Sequence, residues 1–251
     1  MLVQPTVEKL NSLKLTGMAK ALEEQLQTQD IDSLSFEERF GLLVDREMTE
    51  RQNRRLGLRL KKAKLRLNAS VEDIYYRTSR GLDKALVLQL SSCRWIEEHL
   101  NVLITGPTGV GKSFVACALG QKACREDYQT SYFRLPRLLQ ELSIARADGR
   151  YGRVLTTLAR TELLIIDDWG LQPLDDQGRP DLLEILEDRY NVHSTIVTSQ
   201  LPVSNWHEAI GDPTLAYAIL DRPVHNAYQI NLKGESMRKK LKTLDSSRPL
   251  G

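Results

Sequence analysis

Residues 106–113 read Gly106, Pro107, Thr108, Gly109, Val110, Gly111, Lys112 and Ser113, which is the spacing G-x-x-x-x-G-K-S. Glycines so spaced let a backbone curl until consecutive N–H groups face one anion. The lysine supplies a cation for the β- and γ-phosphates of a nucleotide, and the serine hydroxyl suits Mg²⁺. The flanks fit that chemistry. An apolar run, Val102-Leu103-Ile104-Thr105, predicts a strand entering the loop, and residues 113–123, rich in Ala, Val, Leu and Phe, predict a helix leaving it. The N-terminus of that helix adds positive potential for the phosphates, and Phe114 completes the cofactor-binding run 106–114.

A second element of the same chemistry lies about 55 residues on, in Leu163-Leu164-Ile165-Ile166-Asp167-Asp168. Four apolar residues running into two acids predict a buried strand that delivers Asp167 to its end, where it holds Mg²⁺ directly or through water. Asp168 is placed to orient or deprotonate an attacking water. An acidic strand-to-loop turn is the plainer alternative. Aspartate is one methylene shorter than the glutamate many ATPases use here, so slow hydrolysis is expected. Asp167-Asp168-Trp169-Gly170 also fits the D-x-x-G pattern of GTPases, but the chain has neither N-K-x-D to read guanine nor the L-S-G-G-Q of transporter ATPases.

The elements that must position these groups alternate. Strands are predicted at 101–105, 130–134, 162–167, 194–199 and 227–232, and helices at 114–126, 136–147, 152–160, 177–190, 204–210 and 213–220. This is the pattern of an α/β parallel sheet covered by helices, with ligands at the C-terminal strand ends. The first seventy residues read as helical instead. Leu10, Leu13, Met18, Ala21, Leu22 and Leu26 make an apolar stripe, and Ser35-Phe36-Glu37-Glu38 fits a capping box. We therefore expect a helical domain over 1–69 and an NTPase domain over 70–251, joined near 68–83. The chain's 251 residues, 41% hydrophobic and 27% charged, suit that arrangement. No signal peptide or membrane span is expected, and Cys93, Cys117 and Cys124 form no C-x-x-C pair. Buried cysteines in a reducing cytoplasm are the expectation.

Net charge is only +2, yet Arg51, Arg54, Arg55, Arg59, Lys61, Lys62, Lys64 and Arg66 fall within sixteen residues that contain no acid. On a helix, Leu56, Leu60, Ala63 and Leu67 share one side, and Arg51, Arg55, Arg59, Lys62 and Arg66 form a ridge beside it. Like charges at this spacing cost stability unless a partner neutralises them. A nucleic-acid contact is expected, with a solvated charged face as the alternative.

The order of motifs resembles the AAA+ ATPases, and more narrowly the IstB family of transposition helper proteins, relatives of the helicase loader DnaC and the initiator DnaA. Besides the phosphate loop and residues 164–170, the resemblance is carried by Arg80-Gly81-Leu82-Asp83, Ile196-Val197-Thr198-Ser199-Gln200, Ile219-Leu220-Asp221-Arg222 and Gly234-Glu235-Ser236-Met237-Arg238. It implies ATP and Mg²⁺ as ligands, with Gln200 sensing the γ-phosphate. It implies Arg222 as an arginine finger reaching a neighbouring subunit's nucleotide, and Arg238 as a second sensor opening a C-terminal lid shorter than in larger AAA+ proteins. Read bare, Gln200 is a polar strand end, Arg222 a surface ion pair and Arg238 part of the cluster Arg238-Lys239-Lys240. In the DnaA-like branch, the region holding Arg134, Arg137, Arg146, Arg150 and Arg153 lines the path of nucleic acid, and Gly149-Arg150-Tyr151-Gly152-Arg153 reads as a loop tip suited to phosphate, with a solvated loop as the alternative.

Two functions follow. One is a homo-oligomeric ATPase that assembles on duplex DNA, largely regardless of sequence, and assists a transposase in target selection and insertion. The other is a helicase loader whose N-terminal region grips a protein. An adaptor face should be mixed in charge, whereas 51–66 is almost purely cationic. A metabolic kinase or GTPase, the third reading, predicts no salt-sensitive DNA affinity. No nuclease acid triad is evident, so strand chemistry would belong to the partner.

Overall fold

The computed structural model describes residues 3–76 and 80–237. It divides the chain into two compact units, Met1–Leu58 and Arg59–Gly251, the division falling within one long helix.

The first unit holds α1 (Val3–Ser12), α2 (Thr16–Gln27) and the larger part of α3 (Phe36–Ala63). The apolar stripe expected over 10–26 is broken, because Lys14 takes a left-handed conformation between α1 and α2 and leaves Leu13 largely exposed. The capping box forms at the head of α3: the Ser35 amide donates to Glu38 Oε2 at 2.8 Å, and the Glu38 amide to Ser35 Oγ at 3.2 Å. Glu47 of α3 is buried, and its Oε2 accepts from the Gly17 and Met18 amides at 2.7 and 3.2 Å. A carboxylate thus satisfies free N–H groups at the start of α2. Only glycine fits at position 17, since an added Cβ would lie 2.7 Å from the Glu47 Cα.

The second unit opens with the end of α3, which stops at Ala63 because Lys64 is left-handed. Leu67, exposed, and Arg66 therefore lie beyond the helix and not on its predicted stripe and ridge. Two short helices outside the predicted set follow, α4 (Lys84–Ser91), capped by the Asp83 side chain, and α5 (Arg94–Glu97). Then come β1 (Asn101–Thr105), α6 (Lys112–Arg125), β2 (Thr130–Arg134), α7 (Leu135–Ala147), α8 (Tyr151–Arg160) and β3 (Leu163–Trp169). The unit continues through α9 (Gly178–Arg189), β4 (Ser194–Ser199), α10 (Trp206–Ile210), α11 (Pro213–His225) and β5 (Ala227–Asn231). All five predicted strands are present, within about two residues at their ends. The 149–153 segment is not a loop tip throughout, because α8 begins at Tyr151 and only the left-handed Gly149 makes the turn.

The strands form one parallel sheet in the order β2-β3-β4-β1-β5. Successive side chains on a strand face opposite ways, and the core divides accordingly. Val102, Ile104, Leu163, Ile165, Ile196 and Ile230 pack with residues of α4, α5 and α6. Leu103, Leu164, Ile166 and Val197 pack with residues of α7 to α11. A sheet covered on both faces explains why its strands read as unbroken apolar runs. Cys93, Cys117 and Cys124 are buried thiols, and burial pushes the Cys93 thiol up to about 11. Among the described residues no helix is long and apolar enough to cross a membrane.

Candidate nucleotide-binding site

The loop leaves β1 with Gly106, whose amide bonds the Ser199 carbonyl at the end of β4. Gly106, Gly109 and Gly111 have φ of 141°, 84° and 100°, values L side chains avoid, so the curl of the loop depends on them. Gly111 is the left-handed residue before α6, and Lys112 and Ser113 open that helix. Lys112 is 9% exposed. Its ammonium donates to the Gly106 and Pro107 carbonyls at 2.7 and 2.9 Å. Burial draws its pKa below the ordinary lysine value, and the nearby Asp167 and Asp168 charges oppose that shift. Thr108, at the tip, donates its hydroxyl to Gln200 Oε1 at 2.7 Å. Val110 is buried, and the Phe114 side chain packs on the core, so these two belong to the site through their backbone.

Counting along β3 shows why Asp167 faces the loop. Leu163 and Ile165 point to the α6 side, and Asp167 continues that series. It is 1% exposed, and the Ser113 hydroxyl lies 2.9 Å from both of its oxygens. Tyr132 of β2 and Thr198 of β4 also donate hydroxyls to it, each from the same face of its own strand. Desolvation, and after it hydrogen bonding to Asp167, push the Tyr132 phenol far up, so it stays a donor.

Asp168 departs from the strand pattern. Its φ is 64°, and the β3–β4 register shifts between Ile166 and Trp169, which turns the carboxylate away from the strand's alternation. The carboxylate pairs with Arg134 Nε at 2.6 Å. Arg66 approaches both acids, with Nη1 3.6 Å from Asp167 Oδ2 and 3.9 Å from Asp168 Oδ2. Neither Tyr132 nor Thr198 is assigned a role at the site from sequence, and within the mixed strands Thr130–Arg134 and Ser194–Ser199 nothing local marks them.

The residues present fit a Mg-nucleotide. Three left-handed glycines shape an anion-binding loop, a lysine opens the helix, and Ser113 beside a buried Asp167 offers hard oxygen donors. Segments remote in sequence close over the loop. The Leu232 amide bonds the Thr105 carbonyl, the Met237 amide the Gly109 carbonyl, and the Lys233 amide the Arg80 carbonyl. Arg80 donates to the Tyr75 carbonyl at 3.0 Å and makes a short bond to the Val110 carbonyl within the loop.

Arg222 lies elsewhere. Its carbonyl accepts from Asn101, the first residue of β1, whereas the phosphate loop follows the last, about 16 Å along a strand of that length. Its guanidinium pairs with Glu187 at 2.9 Å and bonds the Ala218 carbonyl. The structure therefore does not bring Arg222 to the chain's own loop. Arg238 lies outside the described residues.

The cations of 51–66 fall into two groups. Arg51 pairs with Glu47 at 2.6 Å, and Arg54 donates to the Thr16 hydroxyl at 2.9 Å. Arg59 pairs with Asp127 and bonds the Cys124 carbonyl at 2.8 Å, near the end of α6. Arg55, Lys61, Lys62 and Lys64 are exposed and have no partner among the described residues. Of the second cluster, Arg137 bonds Gln140, Arg146 pairs with Asp181 and lies 3.7 Å from the Tyr151 ring centre, and Arg150 pairs with Asp148. Arg153 is exposed and unpaired among the described residues.

Known proteins share this architecture. A crystal structure of the DnaC helicase loader superimposes with a TM-score of 0.56 at 20% identity, covering 68% of this chain and 100% of the chain in that structure. The replication initiator DnaA, bound to AMPPCP and single-stranded DNA, does so with a TM-score of 0.57 at 15% identity, over 72% of this chain and 57% of DnaA. In sequence, the chain is 57% identical over 239 residues to the insertion-sequence ATP-binding protein y4pL of Sinorhizobium fredii, covering 95% of this chain and 98% of that one. A parallel sheet of the DnaC and DnaA kind, a glycine-shaped loop held against Asp167, and a match over residues 8–245 place the chain in the family of IstB-like ATP-binding proteins, to which it belongs.

Proposed function

We propose that the protein is an ATPase of an insertion sequence, which binds ATP with Mg²⁺, assembles with copies of itself on duplex DNA and assists a transposase in target selection and insertion. The observation that carries the ATPase part is the convergence on one loop: Ser113 bonds Asp167, and Thr108 bonds Gln200. When bound, Mg²⁺ would be held by Ser113 and Asp167 and would spread the charge that builds on the phosphates. Lys112 exchanges its loop carbonyls for phosphate oxygens. Tyr132 and Thr198 hold the Asp167 carboxylate in place, since both donate to it. Asp168 accepts the proton of the attacking water once its carboxylate is free of Arg134, and Gln200 reports the γ-phosphate to the loop tip.

Arg222 stands away from its own loop, which supports a role in trans: a neighbouring subunit's nucleotide is the one it would reach. Duplex DNA would lie along the unpaired cations Arg55, Lys61, Lys62 and Lys64, where released counterions drive binding regardless of sequence. The insertion-sequence context is supported by the y4pL relative, from which the transposase partner is inferred. A helicase-loading role rests on the likeness of fold to DnaC, and four free cations on one segment favour DNA over a protein groove.

Electron microscopy of the protein with random-sequence duplex DNA tests the reading. Assemblies are expected with ATP and not with ADP. A protein that stays monomeric with ATP and DNA together would overturn it.

A further inference from the structure

Arg80 is 9% exposed, and its Nε is buried without a hydrogen-bond partner among the described residues. Its other nitrogens meet only carbonyls, those of Tyr75 and Val110, and no carboxylate pairs with it among the described residues. A buried guanidinium normally has an acid beside it, because taking a charge out of water is costly unless it is paired. Desolvation draws its pKa down, and among the described residues no neighbouring acid restores it. The place where this happens is informative. An added Cβ on Gly111 would stand 2.4 Å from Arg80 Nη2, so the guanidinium rests directly against the residue that precedes Lys112. Two desolvated cations, Arg80 and Lys112, therefore flank the same turn. The Arg80 carbonyl in turn accepts from Lys233, which ties the residue to the segment closing over the loop.

We propose that Arg80 is a positioning residue of the nucleotide site: it holds the Val110–Gly111 turn through the Val110 carbonyl, and its buried charge adds to that of Lys112 in binding the phosphate chain of a nucleoside di- or triphosphate. The inference rests on the reading of 106–113 as a nucleotide site and adds to it a residue 26 positions before the loop. The missing counter-ion is then the ligand. Binding a polyphosphate supplies the counter-charge that Arg80 lacks among the described residues and gives the unused N–H a field to point into. Because the α- and β-phosphates are common to ATP and ADP, both nucleotides gain alike, which separates Arg80 from a γ-phosphate sensor.

The experiment uses the full chain, with fluorescent analogues of ADP and ATP titrated into wild type, Arg80→Lys and Arg80→Gln. Arg80→Gln is expected to weaken both analogues by about ten- to hundredfold, the range for losing a charged hydrogen-bonding group, with Arg80→Lys between it and wild type. A folded Arg80→Gln protein that binds both analogues like wild type overturns the inference. Should Arg80→Gln fail to fold, the wild-type protein still decides, through the NMR signal of the Arg80 Nε–H, assigned by its loss in Arg80→Lys. That proton is expected to shift and to exchange more slowly when ADP is added, and a signal indifferent to ADP overturns the proposal. Lys112→Ala serves as the separate control: undiminished binding there sinks the nucleotide-site reading itself, whereas neutral Arg80 variants sink only the role given to Arg80.

Discussion

The Thr108 hydroxyl and the Gln200 side-chain carbonyl are joined at 2.7 Å, a bond that links the tip of the phosphate loop to the end of β4. A γ-phosphate entering the loop would meet this pair, whereas ADP would not. Gln200→Ala is therefore expected to keep ADP affinity and to lower the rate of ATP turnover by on the order of tenfold or more, in line with removal of one polar group from a charge-stabilising set. Phosphate release at saturating ATP measures the rate, and ADP titration provides the reference. Unchanged turnover would remove Gln200 from the site.

Lys112 and Asp168 separate binding from chemistry. Lys112→Ala removes the cation proposed to reach the phosphates and should abolish measurable nucleotide affinity. Asp168→Asn leaves the loop and the Ser113–Asp167 pair intact, so affinity should hold while turnover falls by about 10²- to 10⁴-fold, the usual worth of a positioned base. Retained hydrolysis in Asp168→Asn would move the base elsewhere.

The buried ammonium of Lys112 gives a pH signature. Its pKa in the free protein lies below the ordinary 10.5 because of burial, and bound phosphates would raise it again. Between those two values the complex holds more protons than the free protein, so nucleotide affinity should fall as pH rises through that window and binding should take up protons. Calorimetry in two buffers of different ionisation heat, at neutral pH and at alkaline pH below 10.5, reads the uptake directly. Affinity that is flat or rises across the alkaline range contradicts the assignment.

What the sequence reveals of this site is what is contiguous or periodic. The loop 106–113 is legible because glycines, lysine and serine act within eight residues, and Asp167 because an apolar strand ends in it. Tyr132, Thr198 and Arg134 are not legible, since they meet the acids only through the order β2-β3-β4, which no local pattern encodes. The same holds for Arg80, whose partners are backbone carbonyls that any sequence supplies. The basic segment misleads for a related reason. It contains no acid of its own, yet Glu47 and Asp127 neutralise Arg51 and Arg59 from outside it. The break at Lys14 is hidden because a lysine carries no hint of the left-handed conformation it adopts.

Arg222 offers a test of shared sites. Arg222→Ala loses its pairing with Glu187, an exposed ion pair worth little to stability, so the variant should fold and bind ATP yet fail to hydrolyse it. Lys112→Ala lacks the opposite side of the proposed interface. Mixing the two inactive proteins creates some interfaces with an intact loop and an intact arginine, and part of the wild-type rate should return, greatest near equal amounts. If no ratio restores activity, the arginine does not act across subunits.

The unpaired cations allow a sharper test of DNA binding than the segment as a whole. Arg59 is left out of it, because reversing its charge would break its bonds to Asp127 and the Cys124 carbonyl and confuse stability with affinity. Charge reversal at Arg55, Lys61 and Lys62 changes side chains with no partner among the described residues, so melting temperature and nucleotide affinity should hold. Duplex binding should weaken, and the slope of log affinity against log salt should become shallower by about 0.9 for each DNA phosphate that the variant no longer neutralises. Fluorescence anisotropy on random-sequence duplexes at several salt concentrations gives both quantities. A variant whose affinity and salt slope match wild type would make this segment a solvated or protein-docking face. The helicase-loader reading, which needs no duplex on these residues, would then take precedence.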